Sequence, residues 1–350
     1  PEMALALVGT DALAIDVGAD LAPLLAAPLA DALLDRIGEV RRALAGDIGI
    51  VLPGVRLRDD LTREPATYAI RVRDGLAGEG RLRLDRVLAV ADEAVLARLG
   101  GEAVREPVYG MPGTWLEPQR RDAAMAAGAL VFDPISIVGS HLAEIARGHA
   151  DQLLGRQELH TLLEHLRASV PSLVKEIGND GLPLLSVQRV FEALLRERVW
   201  PRDPVGTLEA LIDAAALTRD PRELTQAVRR KLVPPLVRRR AVPCLEPLVL
   251  APALESELQA WLVEGSFAPQ PEIALHLRVS ALTYLKTVAR ERAAFVCTSA
   301  LRPFLAEFFA RFNVRLDVFA YTELPPELEL RPAMVLEPPV TATLTATISV

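Results

Sequence analysis

The stretch from Asp133 to Leu232 constrains this chain more than any other. Three times in or at the edge of it an aspartate precedes a proline: Asp133-Pro134, Asp203-Pro204 and Asp220-Pro221. An aspartate carboxylate accepts the free N–H groups of a helix start, and proline is pre-set for the first helical position, so each pair predicts a helix. Glu223, three residues past Asp220, completes a capping-box pattern. Ser186 reads as the cap of a further helix with the stripe Val187, Val190, Phe191, Leu194 and Leu195, closed by Pro201. The stretch holds no phosphate loop, no metal box and no nucleophile elbow. A long, well-capped helical region without chemistry points to a scaffold or a docking surface.

Upstream, residues 1–20 read as an extended, linker-like lead-in. Leu21 to Leu44 carries apolar residues at helical spacing, through Leu25, Leu29, Leu33, Ile37 and Val40. Ile48 to Pro53 reads as a buried strand and Tyr68 to Arg73 as a half-buried one. Gly75 to Gly80 reads as a turn, with the next strand running from Arg81 to Val90. Glu93 to Gly128 reads as an irregular insert with one short helix from Gln119 to Ala127 and a stop at Gly128. Downstream, Pro234-Pro235 and Pro243 to Pro252 mark a stiff boundary, followed by alternating helix and strand signals to Phe319. Val340 to Val350 alternates apolar residues with Thr and Ser, the pattern of a strand with one wet face. The fold class expected is α/β (mixed α+β).

A length of 350 residues predicts two or three folding units. Hydrophobic residues make up 51% but aromatics only 5%, so Ala, Leu and Val must fill the cores through many small contacts. A net charge of −7 argues against a protein held to nucleic acid by phosphate contacts. Cys244 and Cys297 read as free, buried thiols of a reducing compartment. No run of apolar residues is long enough to span a membrane. A first residue of Pro1, with no initiator Met, reads as a processed chain or a fragment of something longer.

Ser140 and His141 are adjacent, and neighbours on a helix point about 100° apart, so they do not make a nucleophile–base pair. His141 and His149, eight apart, and His160 and His165, five apart, fit one metal-binding helix face poorly. No cofactor and no metal are expected. Arg229-Arg230-Lys231 and Arg238-Arg239-Arg240 form a basic cluster. Its plain reading is a solvated helix end that complements the dipole. The sharper reading makes Arg229, Arg230, Arg238 and Arg239 contacts to a neighbouring subunit.

The order and spacing of several words carry a resemblance. They are Leu52-Pro53-x-Val55-x-Leu57-Arg58-Asp59-Asp60-Leu61, Tyr68-x-Ile70, Arg105-Glu106-Pro107-Val108-Tyr109-Gly110-Met111-Pro112, Ser140-His141-Leu142, Gly155-Arg156-Gln157-Glu158 and Leu301-Arg302-Pro303. From roughly Ile48 to Glu323 the chain resembles the cytosolic domain of the FlhA/SctV family, the export-gate proteins of flagellar and injectisome type III secretion.

The resemblance implies four subdomains: an α/β first one over 1–84 and 134–153, a small α/β insert over 85–133, a helical one over 154–233 and an α/β one over 234–350. It implies a docking platform, not an enzyme, at the cytoplasmic face of the bacterial inner membrane, attached through an N-terminal transmembrane region absent here. The implied partners are export chaperone–substrate complexes, neighbouring subunits of a homo-nonameric ring and the export ATPase stalk; nucleic acid is not among them. It implies a chaperone-binding dimple lined by Glu106, Pro107, Val108, Tyr109, Gly110 and Ser140, where the family often has Asp, Phe and Thr at the positions of Glu106, Tyr109 and Ser140. A tyrosine supplies buried area and a nearby carboxylate fixes orientation. The plain reading of the same residues is a Pro-Gly turn with a half-buried Tyr. The rival function is a cytosolic α/β enzyme using Glu106 or His141 in a cleft of the insert.

Overall fold

The computed structural model describes residues 11–178, 181–240, 242–263 and 266–339. The chain divides into two compact units. The first takes in the residues up to Arg196 together with Trp200–Gly206; the second takes in Glu197–Val199 and the residues from Thr207 on.

The first unit is built on two four-stranded sheets. In one, the order is β2-β1-β3-β4, with β1 Leu13–Val17, β2 Val55–Asp59, β3 Thr67–Val72 and β4 Gly75–Arg81. Residues 1–10 of the expected lead-in lie outside the described residues, and the rest supplies an interior strand: all five residues of β1 are buried, and it runs parallel to β2 and antiparallel to β3. Asp16 on β1 is buried beneath the guanidinium groups of Arg58 and Arg71, with Arg58 Nε donating to it at 2.8 Å.

The expected helix from Leu21 divides into a 3-10 turn, Ala19–Leu25, and α1, Leu29–Ile48. The strand expected from Ile48 does not form. Ile48 is the last residue of the buried α1 stripe, and Gly49 at φ +78° caps the helix in the left-handed region. Strand β2 starts only past Pro53-Gly54.

The Gly75–Gly80 stretch is strand β4, not a turn. The turn is Arg73-Asp74, both at positive φ (47° and 63°), which is what a tight two-residue hairpin requires. The strand expected over Arg81–Val90 is cut at Arg81; Val87–Val90 belongs to the second sheet.

That second sheet has order β6-β7-β5-β8, all antiparallel: β5 Val87–Val90, β6 Glu102–Arg105, β7 Pro112–Leu116 and β8 Leu130–Phe132. With α2 Glu93–Leu99 and α3 Arg121–Ala126 it buries Val87, Ala89, Leu99, Leu116 and Ala124. The segment read as irregular is thus a small α/β layer. Its strands are three to five residues long, too short for alternation to register. Helix α4, Pro134–Gly148, then packs against α1, and Gly139 lets the Arg36 side chain come close.

Helices α5 Arg156–Arg167 and α6 Leu184–Arg196 follow. The α6 stripe is buried as expected, but Ser186 lies inside the first turn instead of capping it. Helix α7 is Pro204–Ala215, with the Asp203 carboxylate accepting from Gly206 N–H at 3.0 Å. Helix α8, Pro221–Arg238, starts where Asp220 accepts from Arg222 N–H at 2.9 Å. Glu223 takes the Thr218 hydroxyl in place of a capping-box arm. Pro234-Pro235 is not a break: α8 runs through it, held by the buried Val233 and Val237 on either side.

The second unit carries a parallel sheet of order β11-β10-β9-β12, with β9 Leu248–Leu250, β10 Phe295–Cys297, β11 Val318–Ala320 and β12 Met334–Leu336. Helices α9 Pro252–Ala260, α10 Pro271–Thr287 and α11 Arg302–Arg311 pack with it around Leu254, Leu277, Tyr284, Phe295 and Phe309. Strands buried on both faces read as continuous apolar runs, as Leu248–Leu250 and Phe295–Cys297 do. The alternating segment Val340–Val350 lies outside the described residues.

Candidate docking site in the first unit

The β6–β7 hairpin is closed by residues 106–111. Glu106 N–H donates to the Met111 carbonyl at 2.8 Å, and Gly110 N–H donates to the Glu106 carbonyl at 2.9 Å. Gly110 sits at φ +69°, where a side chain is costly. The Glu106 carboxylate folds back into the turn: one oxygen accepts Val108 N–H at 2.7 Å, the other Tyr109 N–H at 2.8 Å. Arg105 Nη1 adds a bond to the Gly110 carbonyl at 3.1 Å. Bonds to a charged acceptor are worth roughly 1.5–3 kcal/mol each, so the turn is well specified without its side chains being packed. Two of its apolar side chains instead face solvent: Tyr109 is 71% exposed and Met111 46%.

This alters the role read for Glu106. At 7% exposure, with both oxygens on backbone amides, it holds Tyr109 in place and does not present a free carboxylate to a partner. Pro107 and Val108 are part-buried, Gly110 exposed.

Helix α4 carries Ser140, the remaining residue of the expected dimple. Asp133 caps it, accepting Ser136 N–H at 2.8 Å and the Ser136 hydroxyl at 2.7 Å. Burial opposes ionisation of Asp133, but the two Ser136 bonds, its own backbone amide and the charge of Arg121 together outweigh it and hold its carboxyl below the usual range. Two turns on, Ser140 is part-buried, and beside it His141 is 5% exposed.

The His141 ring lies edge-on to Tyr68, with Nδ1 2.8 Å from the tyrosine oxygen. Burial holds the His141 imidazole below its usual range against the opposing pull of Glu106, and burial together with Glu106 pushes the Tyr68 phenol up. Glu106, Tyr68 and His141 thus share one electrostatic neighbourhood. Strand β4 leaves room for them: a Cβ on Gly78 would lie 2.6 Å from His141 Nε2, and one on Gly80 2.7 Å from the Tyr68 hydroxyl. Tyr68, Gly78 and Gly80 were legible only as strand and turn. The usable signal was two glycines two apart, on one face of a strand.

Other charged groups are held elsewhere. A cleft of about 320 Å³ is lined by Asp16, Arg58, Asp59, Asp60, Arg71 and Asp74, with Asp16 bound to both arginines. Among the described residues no group of three His, Cys, Asp or Glu is placed to hold a metal ion.

The basic cluster divides. Arg230 and Arg239 are exposed, and Arg238 is exposed and bonded to Glu327 at 2.7 Å. Arg229 is not a surface residue: at 1% exposure it lies inside the second unit, bonded to Glu323 at 2.7 and 2.9 Å, to Glu197 at 2.6 Å and to the Val318 carbonyl at 3.2 Å. Buried Arg302 completes the cluster against Glu197. Burial opposes the Arg229 charge, but the two carboxylates raise its guanidinium further above the ordinary value. The reading of Arg229 as a contact to another subunit is therefore withdrawn.

The FHIPEP family model matches residues 2–329. The flagellar biosynthesis protein FlhA of Bacillus subtilis (strain 168) is 30% identical over 342 residues, 95% of this chain and 50% of that protein. FlhA of Escherichia coli (strain K12) is 29% identical over 92% of this chain and 47% of that protein. The chain spans about half the length of the curated relatives it matches. Among solved structures, the Chlamydia pneumoniae CdsV protein superposes with a TM-score of 0.77 at 22% identity, covering 93% of this chain and 98% of that one. The nonameric EscV cytosolic domain from the type III secretion system does so at 0.69 and 18%, covering 94% and 97%. These two likenesses concern the fold. The match over residues 2–329 makes this chain a member of the FHIPEP family, the family of FlhA.

Proposed function

We propose that the chain is the docking platform of a type III protein export gate, binding export chaperone–substrate complexes and ordering their delivery to a membrane channel. The observation that carries this reading is the Tyr109 turn. An aromatic side chain stands 71% exposed on a backbone fixed by its own buried glutamate. A rigid, exposed aromatic is what a binding hot spot requires, because little entropy is lost when it is covered. Tyr109 with Met111 would give the apolar contact, Glu106 would position Tyr109, and Ser140 would border the site.

The setting follows from relatives. The EscV cytosolic domain is nonameric and CdsV has been solved in complex with CdsO. By analogy this chain would stand in a nine-subunit ring, with Arg230, Arg238 and Arg239 as candidate contacts, and meet a stalk component of the export ATPase. Among the described residues no helix is long and apolar enough to cross a membrane. The proposal assigns attachment to the inner membrane to another part of the full-length protein. The four-part division at about 84, 133, 153 and 233 belongs to the same proposal.

The test is a pull-down with the source organism's export chaperones, comparing the wild type with Tyr109→Ala. Loss of a hot spot of about 2 kcal/mol lowers affinity roughly 30-fold, while the melting temperature stays put because the side chain packs on little. Unchanged binding removes the site.

A further inference from the structure

Helix α10 is apolar on two opposite faces, and the fold of the second unit uses one. Ile273, Leu277, Ala281 and Tyr284 are buried in its core. Leu275, Val279 and Leu282 are 60%, 51% and 40% exposed. At about 100° per residue the two sets lie about 180° apart on the helix. Single exposed apolar residues such as Leu217 are ordinary, but three in one row, spaced four and three apart, have the form of a seam by which one helix meets another. We propose that this row is a self-association surface: two copies of the chain meet through their α10 helices, antiparallel, about a twofold axis beside Val279.

The charges at the ends of the row select the partner and its direction. The same spacing continues to Glu272 on one side and Lys286 on the other, each seven residues from Val279. Both side chains are exposed, and among the described residues neither has an ion pair within its own chain. Between them the row carries no charge: Arg278, on its flank, is drawn over the Phe312 ring, 5.5 Å from the ring centre. Laid antiparallel about Val279, Leu275 of each copy covers Leu282 of the other, and Glu272 reaches Lys286 at both ends. Laid parallel, glutamate meets glutamate and lysine meets lysine, which opposes association. An acidic helix of another protein would face Glu272 with like charge, and a basic one would do the same to Lys286. A second α10 satisfies both ends at once, which is the self-complementarity an isologous interface requires.

This contact is not a ring contact and rests on nothing in the proposed function. Neighbours in a ring of nine are not related by a half turn, so they meet through two different patches. An α10–α10 contact uses one patch twice and joins free chains, or chains of two different assemblies. A single pair of helices is a small interface, at the low end of the range below about 1,200 Å², so the association is weak and reversible.

The test is sedimentation of the 350-residue chain over rising concentration, joined to disulfide trapping. The wild type is expected to exchange reversibly between monomer and dimer. Val279→Asp sets two like charges on the axis and should weaken the dimer at least about tenfold; the side chain is half exposed, so the variant keeps its fold. Glu272→Lys and Lys286→Glu should each weaken it, and the two together should restore it. Cys244 and Cys297 are buried, so one added surface cysteine reports alone. Val279→Cys should oxidise to a dimer much faster than Leu217→Cys, although Leu217 is 91% exposed. A chain that stays monomeric, or an association that Val279→Asp leaves unchanged, overturns the proposal, whether the row is then covered by another part of the chain or by a different protein. A double charge exchange that fails to restore the dimer, or a Val279→Cys that oxidises no faster than Leu217→Cys, overturns it equally.

Discussion

Replacing Arg229 by methionine tests the buried ionic cluster of the second unit. Arg229 and Arg302 face Glu197 and Glu323, two positive and two negative charges, so the cluster is neutral as it stands. Methionine fills much of the arginine stem but leaves one net negative charge. Glu323 suffers most, because its side chain is buried and Arg229 binds both of its oxygens, at 2.7 and 2.9 Å. The Ala320 N–H at 3.1 Å and Arg302 Nε at 3.9 Å are what remain to it. Removing one partner of a buried ion pair costs about 3–5 kcal/mol, most of it from the charge left behind. For a unit of this size each kcal/mol lowers the melting temperature by about 2–4 °C, so calorimetry should show its transition fall by roughly 6–20 °C. Arg230→Met, one residue along and exposed, should stay within about 0.5 kcal/mol of the wild type. The double variant Arg229→Met, Glu323→Leu should recover much of the loss, since it leaves Glu197 with Arg302. An Arg229→Met transition within 1 kcal/mol of the wild type would refute the account, for it would mean that Glu323 is solvated or protonated at no cost.

Two further outcomes are expected. Gly80→Ala places a methyl 2.7 Å from the Tyr68 hydroxyl and should cost about 1–3 kcal/mol by urea unfolding, whereas Gly148→Ala, with nothing within 4 Å, should not. Asp133→Ala removes the α4 cap and should cost about 1 kcal/mol. Because the Asp133 carboxyl is held below its usual range when folded, its contribution is present above about pH 4 and lost as pH falls further, so the variant's deficit should shrink in acid.

What was legible in the sequence was local. Asp133, Asp203 and Asp220 start helices because a cap and a proline act within three residues. The α6 stripe is periodic because one face is buried along its whole length. The misreadings have a common cause, which is that tertiary contact overrides a local signal. Gly75–Gly80 has turn composition, yet it pairs along β3 because glycine alone fits beneath Tyr68 and His141. Pro234-Pro235 has the composition of a break, yet Val233 and Val237 hold α8 together. Arg229 sits in a run of basic residues and looks solvated, yet its partners Glu197 and Glu323 are 32 and 94 residues away.

The candidate site shows the same division within six residues. That Glu106 to Met111 is a turn follows from Pro107 and Gly110 alone. That the turn is rigid follows from one carboxylate folding back on two amides, which spacing permits but does not require. That Tyr68 and His141, 73 residues apart in the chain, meet where two glycines make room is a tertiary fact that neither segment carries locally. Gly78→Ala crowds His141 Nε2 at 2.6 Å and should cost about 1–3 kcal/mol by urea unfolding. Gly75→Ala, on the same strand but facing only the Val72 carbonyl at 3.2 Å, should cost less, because no buried ring stands in its way.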